Sequence, residues 1–185
     1  MKIFGYQDQR NMYLMELLKS DYFIEGIQSA TDVSVETSAV LLWVWHADKI
    51  PPHIGISTNG HYFSLKANGK DEMIPVSKIT ETIAKKKIKT LCFELSDSIA
   101  LESIQDSFAF YSSTVPNKIT CLKPINEALD LQASRKLTDL LSTLYAQNRI
   151  VKVLGFNIDS NFAGIRQYEI EDIHSRLKLL KDKFG

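Results

Sequence analysis

Residues 53–66 read His-Ile-Gly-Ile-Ser-Thr-Asn-Gly-His-Tyr-Phe-Ser-Leu-Lys, and the Asn59-Gly60 pair at the centre constrains the fold more than any other feature. Asn-Gly between two apolar runs is the strongest short hairpin signal, because a type I′ turn needs positive φ at both central positions. With Asn59 and Gly60 as the turn, Ile54 faces Leu65, Gly55 faces Ser64 and Ile56 faces Phe63. Side chains alternate along a strand. One face of the hairpin therefore carries Ile54, Ile56, Phe63 and Leu65, and the other carries His53, Gly55, Ser57, Tyr62, Ser64 and Lys66. His53 and Ser64 become diagonal neighbours within side-chain reach. Gly55 between them leaves room for another backbone to approach.

The rest of the chain supplies strands and helices without strict alternation. Met12, Leu14, Met15, Leu17 and Leu18 recur near helical period, which predicts a helix over residues 8–20. Residues 39–45 form a continuous apolar run rich in β-branched and aromatic side chains, the pattern of a buried strand. Helices are predicted over residues 76–86, with Ser77 as N-cap, and over 98–111, 121–131, 135–146 and 169–183; further strands are predicted over 89–95 and 150–156. Pro124 is compatible with a helix beginning at Cys121 after a Thr120 cap, because the first helical N–H groups have no intrahelical partner. This order predicts an α+β fold with a mostly antiparallel sheet flanked by helices.

Composition narrows the class. At 185 residues the expectation is a single domain, residues 1–185. Apolar residues at 44% against a formal net charge of zero exclude a disordered chain. The 22 basic and 22 acidic residues argue against a nucleic-acid partner, which calls for a basic excess. Two cysteines, Cys92 and Cys121, make neither a disulfide framework nor a zinc cluster. No basic region followed by an apolar run opens the chain, and the longest apolar run is too short for a transmembrane segment. A cytoplasmic protein is expected; one exported by a route that reads no N-terminal signal would look the same.

A thiol at a helix start sits where the macrodipole favours negative charge, and thiolate is the nucleophilic form. An imidazole beside it and a third polar group orienting that imidazole complete an activated nucleophile. Cys121, His53 and Ser64 meet these requirements in that order, and no cofactor or metal is called for.

The segment Pro-Pro-His-Ile-Gly-Ile-Ser-Thr-Asn-Gly-His-Tyr-Phe-Ser-Leu resembles the His strand of permuted NlpC/P60-type and LRAT-like proteins. In that family a His opens a strand, a hairpin follows, and the next strand carries a polar residue. Asn-Lys-Ile-Thr-Cys-Leu-Lys-Pro-Ile-Asn-Glu-Ala-Leu is similar to the later block in which the nucleophilic Cys begins a helix. The resemblance covers roughly residues 38–131, which would form the papain-like core. It departs at Thr120, where LRAT-like members usually have Asn, and at Ser64, where they often have a second His. It implies a papain-like cysteine hydrolase, peptidase or amidase in type, or an acyltransferase. Cys121 would be the nucleophile, His53 the base and Ser64 the orienting residue. The substrate would be a peptide, an amide or a lipid ester.

Two other readings stay open: an inactive relative binding a peptide or lipid in the same cleft, and an unrelated adaptor with Cys121 buried. Cys92 reads as a small core residue, His46 as a weaker alternative base, and His61 and His174 as solvated. Lys85, Lys86 and Lys87 read as a solvated helix end. Trp43 and Trp45 share one strand face, and the turn-rich stretch at residues 155–164 reads as a loop bordering the cleft.

Overall fold

The computed structural model describes residues 21–30, 35–131, 134–162 and 164–184; the helix expected over residues 8–20 lies outside them. The described strands are β1 (Asp21–Phe23), β2 (Ile27–Ser29), β3 (Val40–Trp45), β4 (His53–Thr58), β5 (His61–Lys66), β6 (Gly69–Pro75), β7 (Thr90–Leu95), β8 (Ile150–Phe156) and β9 (Gly164–Arg166). The helices are α1 (Val76–Lys86), α2 (Leu101–Ala109), α3 (Leu122–Ala128), α4 (Leu137–Ala146) and α5 (Ile170–Phe184). Seven strands form one sheet in the order β2-β8-β7-β3-β4-β5-β6, and β1 pairs with β9 alone. Every pairing is antiparallel except β2 with β8. The fold is α+β with a mostly antiparallel sheet.

The hairpin forms as its turn residues require. Asn59 and Gly60 take φ of 48° and 75°, and the ladder pairs Thr58 with His61, Ser57 with Tyr62 and Ile56 with Phe63. The sheet is buried on both faces, which explains why β3 is a continuous apolar run. Leu42, Val44, Ile54, Ile56, Phe63 and Phe93 pack on one face against Ile104 and Phe108 of α2, Leu122 and Ile125 of α3, and Leu140 and Leu141 of α4. On the other face Leu41, Trp43, Tyr62 and Cys92 meet Val76, Ile79 and Ile83 of α1. The Trp43 indole N–H, inside this second layer, donates to Ser57 Oγ at 2.8 Å.

Three local expectations change. Pro75, not Ser77, precedes α1, and no side chain caps that helix; the Ser77 carbonyl accepts from Thr80 Oγ1 instead. The space beside Gly55 is filled by a side chain rather than by backbone: a Cβ there would lie 2.2 Å from the Tyr62 hydroxyl. The loop after β8 attaches to the far end of α1, where the Asn157 amide donates to the carbonyls of Ile83 and Ile88. A second hairpin, absent from the sequence reading, joins β5 to β6 through Lys66 and Gly69 and sets Ser64 opposite Asp71.

Candidate active site

The β4–β5 ladder stops at Ile56 and Phe63, so the expected pairs Gly55 with Ser64 and Ile54 with Leu65, from which Ser64 was placed beside His53, do not form, although both strands continue toward His53 and Lys66. At that open end the Ile54 N–H approaches the thiol of Cys121 and favours its ionised form. Cys121 is half-buried and has helical φ and ψ of −60° and −19° immediately before α3. Cys121, not Thr120, occupies the cap position of α3, which has no side-chain cap bond; Thr120 Oγ1 accepts from the Leu122 N–H at 3.3 Å. The hairpin and the start of α3 thus set Cys121 against the backbone one residue beyond His53. Both side chains line a cavity of about 590 Å³, whose opposite wall is α5.

Electrostatics set both reactive groups in their neutral forms. Burial raises the Cys121 thiol pKa above its ordinary value, while the N–H groups of Ile54, Cys121 and Leu122 pull the other way without prevailing. The sequence reading expected a depressed thiol. Helix α3 has only seven residues, and desolvation outweighs what its short dipole supplies. Burial also pushes the His53 imidazole down to about 4; Asp71 raises it, while Lys66 and His46 lower it. No hydrogen bond joins Cys121 to His53 among the described residues.

Ser64 is fully buried on the His53 side of the hairpin. Its hydroxyl donates to Asp71 Oδ2 at 2.9 Å, and Lys66 Nζ meets Asp71 Oδ1 at 2.6 Å. Burial raises the pKa of the neighbouring Tyr62 hydroxyl. The structure therefore brings Cys121, His53 and Ser64 to one end of the hairpin but leaves Ser64 bonded to Asp71 rather than to His53. Asp71 is the charge that favours protonated His53, and the sequence reading missed it. Asn68-Gly69 signals a turn at this point of the sequence, but taken as the two turn residues it would set Ser64 opposite Met73; the turn is instead Ala67-Asn68, with Gly69 paired to Lys66 and Asp71 to Ser64.

His46 borders the same cavity and, like His53, is lowered mainly by burial. His61 Nδ1 donates to the Asn59 carbonyl at 2.8 Å. His174 Nδ1 accepts from the Asn117 N–H at 3.0 Å. Cys92 is fully buried and its pKa is raised by desolvation. Among the described residues no cluster of three His, Cys, Asp or Glu stands ready to hold a metal ion, and no helix is long and apolar enough to cross a membrane.

These environments predict the alkylation behaviour of the two thiols. Iodoacetamide followed by peptide mapping should label Cys121 slowly at pH 6 and increasingly fast as pH rises beyond the ordinary thiol value, with Cys92 silent until the protein unfolds. Rapid labelling of Cys121 at pH 6 would show that burial does not govern the thiol.

Comparison with family models, curated proteins and solved structures finds no match.

Proposed function

We propose that this chain is a cysteine hydrolase of the papain-like, permuted NlpC/P60 type, acting on an acyl substrate through Cys121 and His53. The observation that carries this reading is the Cys121 thiol held against the Ile54 N–H in a cavity that His53 also lines. Each partner is neutral at rest, so the pair works by general-base transfer rather than as a preformed ion pair. Sγ of Cys121 attacks the carbonyl carbon while its proton passes to His53. The backbone N–H groups around the thiol are donors for the developing oxyanion. The imidazolium then protonates the leaving group as the acyl carbon–leaving-group bond breaks, giving a thioester. Water, deprotonated by His53, releases the acid and restores the thiol. Asp71 stabilises the imidazolium in both halves, and Ser64 and Lys66 fix the carboxylate.

Trapping the intermediate tests the reading. An activated acyl ester mixed with the protein and quenched in acid should leave one acyl group, as a thioester, on the peptide containing Cys121. An unmodified Cys121 peptide over a series of esters and amides would overturn it.

A non-catalytic relative that binds in the same cavity is the second reading. The missing Cys121–His53 hydrogen bond and the raised thiol favour it. It expects ligand binding without an acyl adduct.

A further inference from the structure

The cavity beside Cys121 has a charge pattern unlike that of the whole chain. The sequence balances 22 basic against 22 acidic residues, yet five cations border the cavity, Lys49, Lys66, Arg135, Lys136 and Arg176, and among the described residues no Asp or Glu does so. Two of these are already paired, Lys66 with Asp71 at 2.6 Å and Lys136 with Glu169 at 3.2 Å. Among the described residues no carboxylate pairs with Lys49, Arg135 or Arg176, all exposed at the rim. Beneath them the walls are apolar: Ile54 and Leu65 from the hairpin, Leu137 from α4, and Ile173, Leu177 and Leu180 from α5. The α5 residues recur at three- and four-residue spacing, so one stripe of that helix faces the cavity. One further group is left over. Thr114 lines the cavity at 1% exposure, and its hydroxyl has no hydrogen-bond partner.

We propose that this cavity binds a single-chain amphiphile with an anionic head, the head held by Lys49, Arg135 and Arg176 and the alkyl chain lying on the apolar walls. A volume of about 590 Å³ falls within the usual range for small-ligand sites. The apolar walls select an alkyl chain over a peptide, whose buried amides would need partners that Ile, Leu and Pro side chains do not offer. Unpaired cations at the mouth select a negative head over a neutral or positive one, and the Thr114 hydroxyl supplies a further donor. As a substrate class, the assignment rests on the proposed thiol chemistry; as a binding site, it does not.

The test uses the full chain carrying Cys121→Ala, which binds without turnover, and isothermal titration below each probe's micelle concentration. Dodecanoate and dodecyl phosphate should bind saturably and at least about tenfold more tightly than dodecanol, the scale of a charge-assisted contact. Dodecyltrimethylammonium should bind no better than dodecanol. The tighter of the two anions names the head. The combined variant Lys49→Gln, Arg135→Gln, Arg176→Gln should reduce both anions to the dodecanol level. Raised ionic strength should weaken the anions alone in the parent protein, which keeps the test informative if the triple variant does not fold. The proposal is overturned if no probe binds, if dodecanol or the cation matches dodecanoate, if salt has no effect, or if an acidic peptide binds where dodecanoate does not. Anion-selective binding with no acyl adduct on unsubstituted Cys121 would sink the thiol reading and leave this site standing. An adduct without charge selectivity would do the reverse.

Discussion

Replacing His53 by alanine should slow acylation of Cys121 by roughly 10²–10⁴-fold, the usual contribution of a positioned general base. Cys121→Ala should remove turnover altogether. The expectation is sharper here than for a preformed thiolate–imidazolium pair. With burial raising the thiol, little thiolate exists at neutral pH, so attack requires the proton to leave during the reaction. His53 opens β4 and is only half-buried, so its truncation leaves the layers on both faces of the sheet intact. The measurement is single-turnover acylation of an activated ester, with the unfolding midpoint as a control. Equal acylation rates in parent and His53→Ala, or a large fall in midpoint with the rate unchanged, would show that His53 serves structure instead. Asp71→Asn should give a smaller loss of rate and a further fall in the His53 pKa, because Asp71 is the group that raises it.

The second large effect is on stability against pH. His53 has a folded pKa of about 4, below the roughly 6.5 of an unfolded histidine. The unfolded chain therefore binds the proton first as pH falls. Stability from this group is fully present above pH 6.5 and is lost between about 6.5 and 4. A difference of about 2.5 pKa units corresponds to at most roughly 3–4 kcal/mol. His46, lowered by the same cause, adds a contribution of the same sign. Urea unfolding at pH 7.5 and pH 4.5 should show the parent losing more stability than His53→Gln across that interval. Parallel losses in the two proteins would mean that the imidazole is not held neutral.

The features legible in the sequence were those fixed by local chemistry. Asn59-Gly60 fixed the turn and the pairs next to it, as far as Ile56 with Phe63, because few residues other than Asn and Gly accept positive φ without strain; the pairs expected beyond them, Gly55 with Ser64 and Ile54 with Leu65, lie outside the ladder. Helix α1 and strand β8 fall where their periodicity placed them, over 76–86 and 150–156. The three-residue strands β1, β2 and β9 carry too few residues for any period, and each depends on a partner far along the chain. The candidate site divides in the same way. Cys121 ahead of a helix and His53 on a strand were legible from residue type and spacing. The direction of the thiol shift was not, since it comes from burial against the core that the tertiary fold assembles around Cys121. Asp71 was hidden for a different reason: the turn joining β5 to β6 uses Ala67 and Asn68 rather than Asn68 and Gly69, so a reading from the Asn-Gly pair sets Asp71 opposite Lys66 instead of Ser64.

The sheet order also dictates how the chain assembles in time. Strands β3 to β6 are joined to their neighbours by short segments and pair early at little loop-closure cost. The remaining half is non-local: β7 adds to β3 rather than to β6, β8 waits for residues 150–156, and β2 near residue 28 closes on β8 near residue 154. During synthesis β7 therefore emerges some fifty residues before the strand that covers its outer edge. An uncovered apolar strand edge is a template for intermolecular pairing. Pauses between residues 95 and 150 are accordingly the interval in which nascent chains of this protein are most exposed to aggregation.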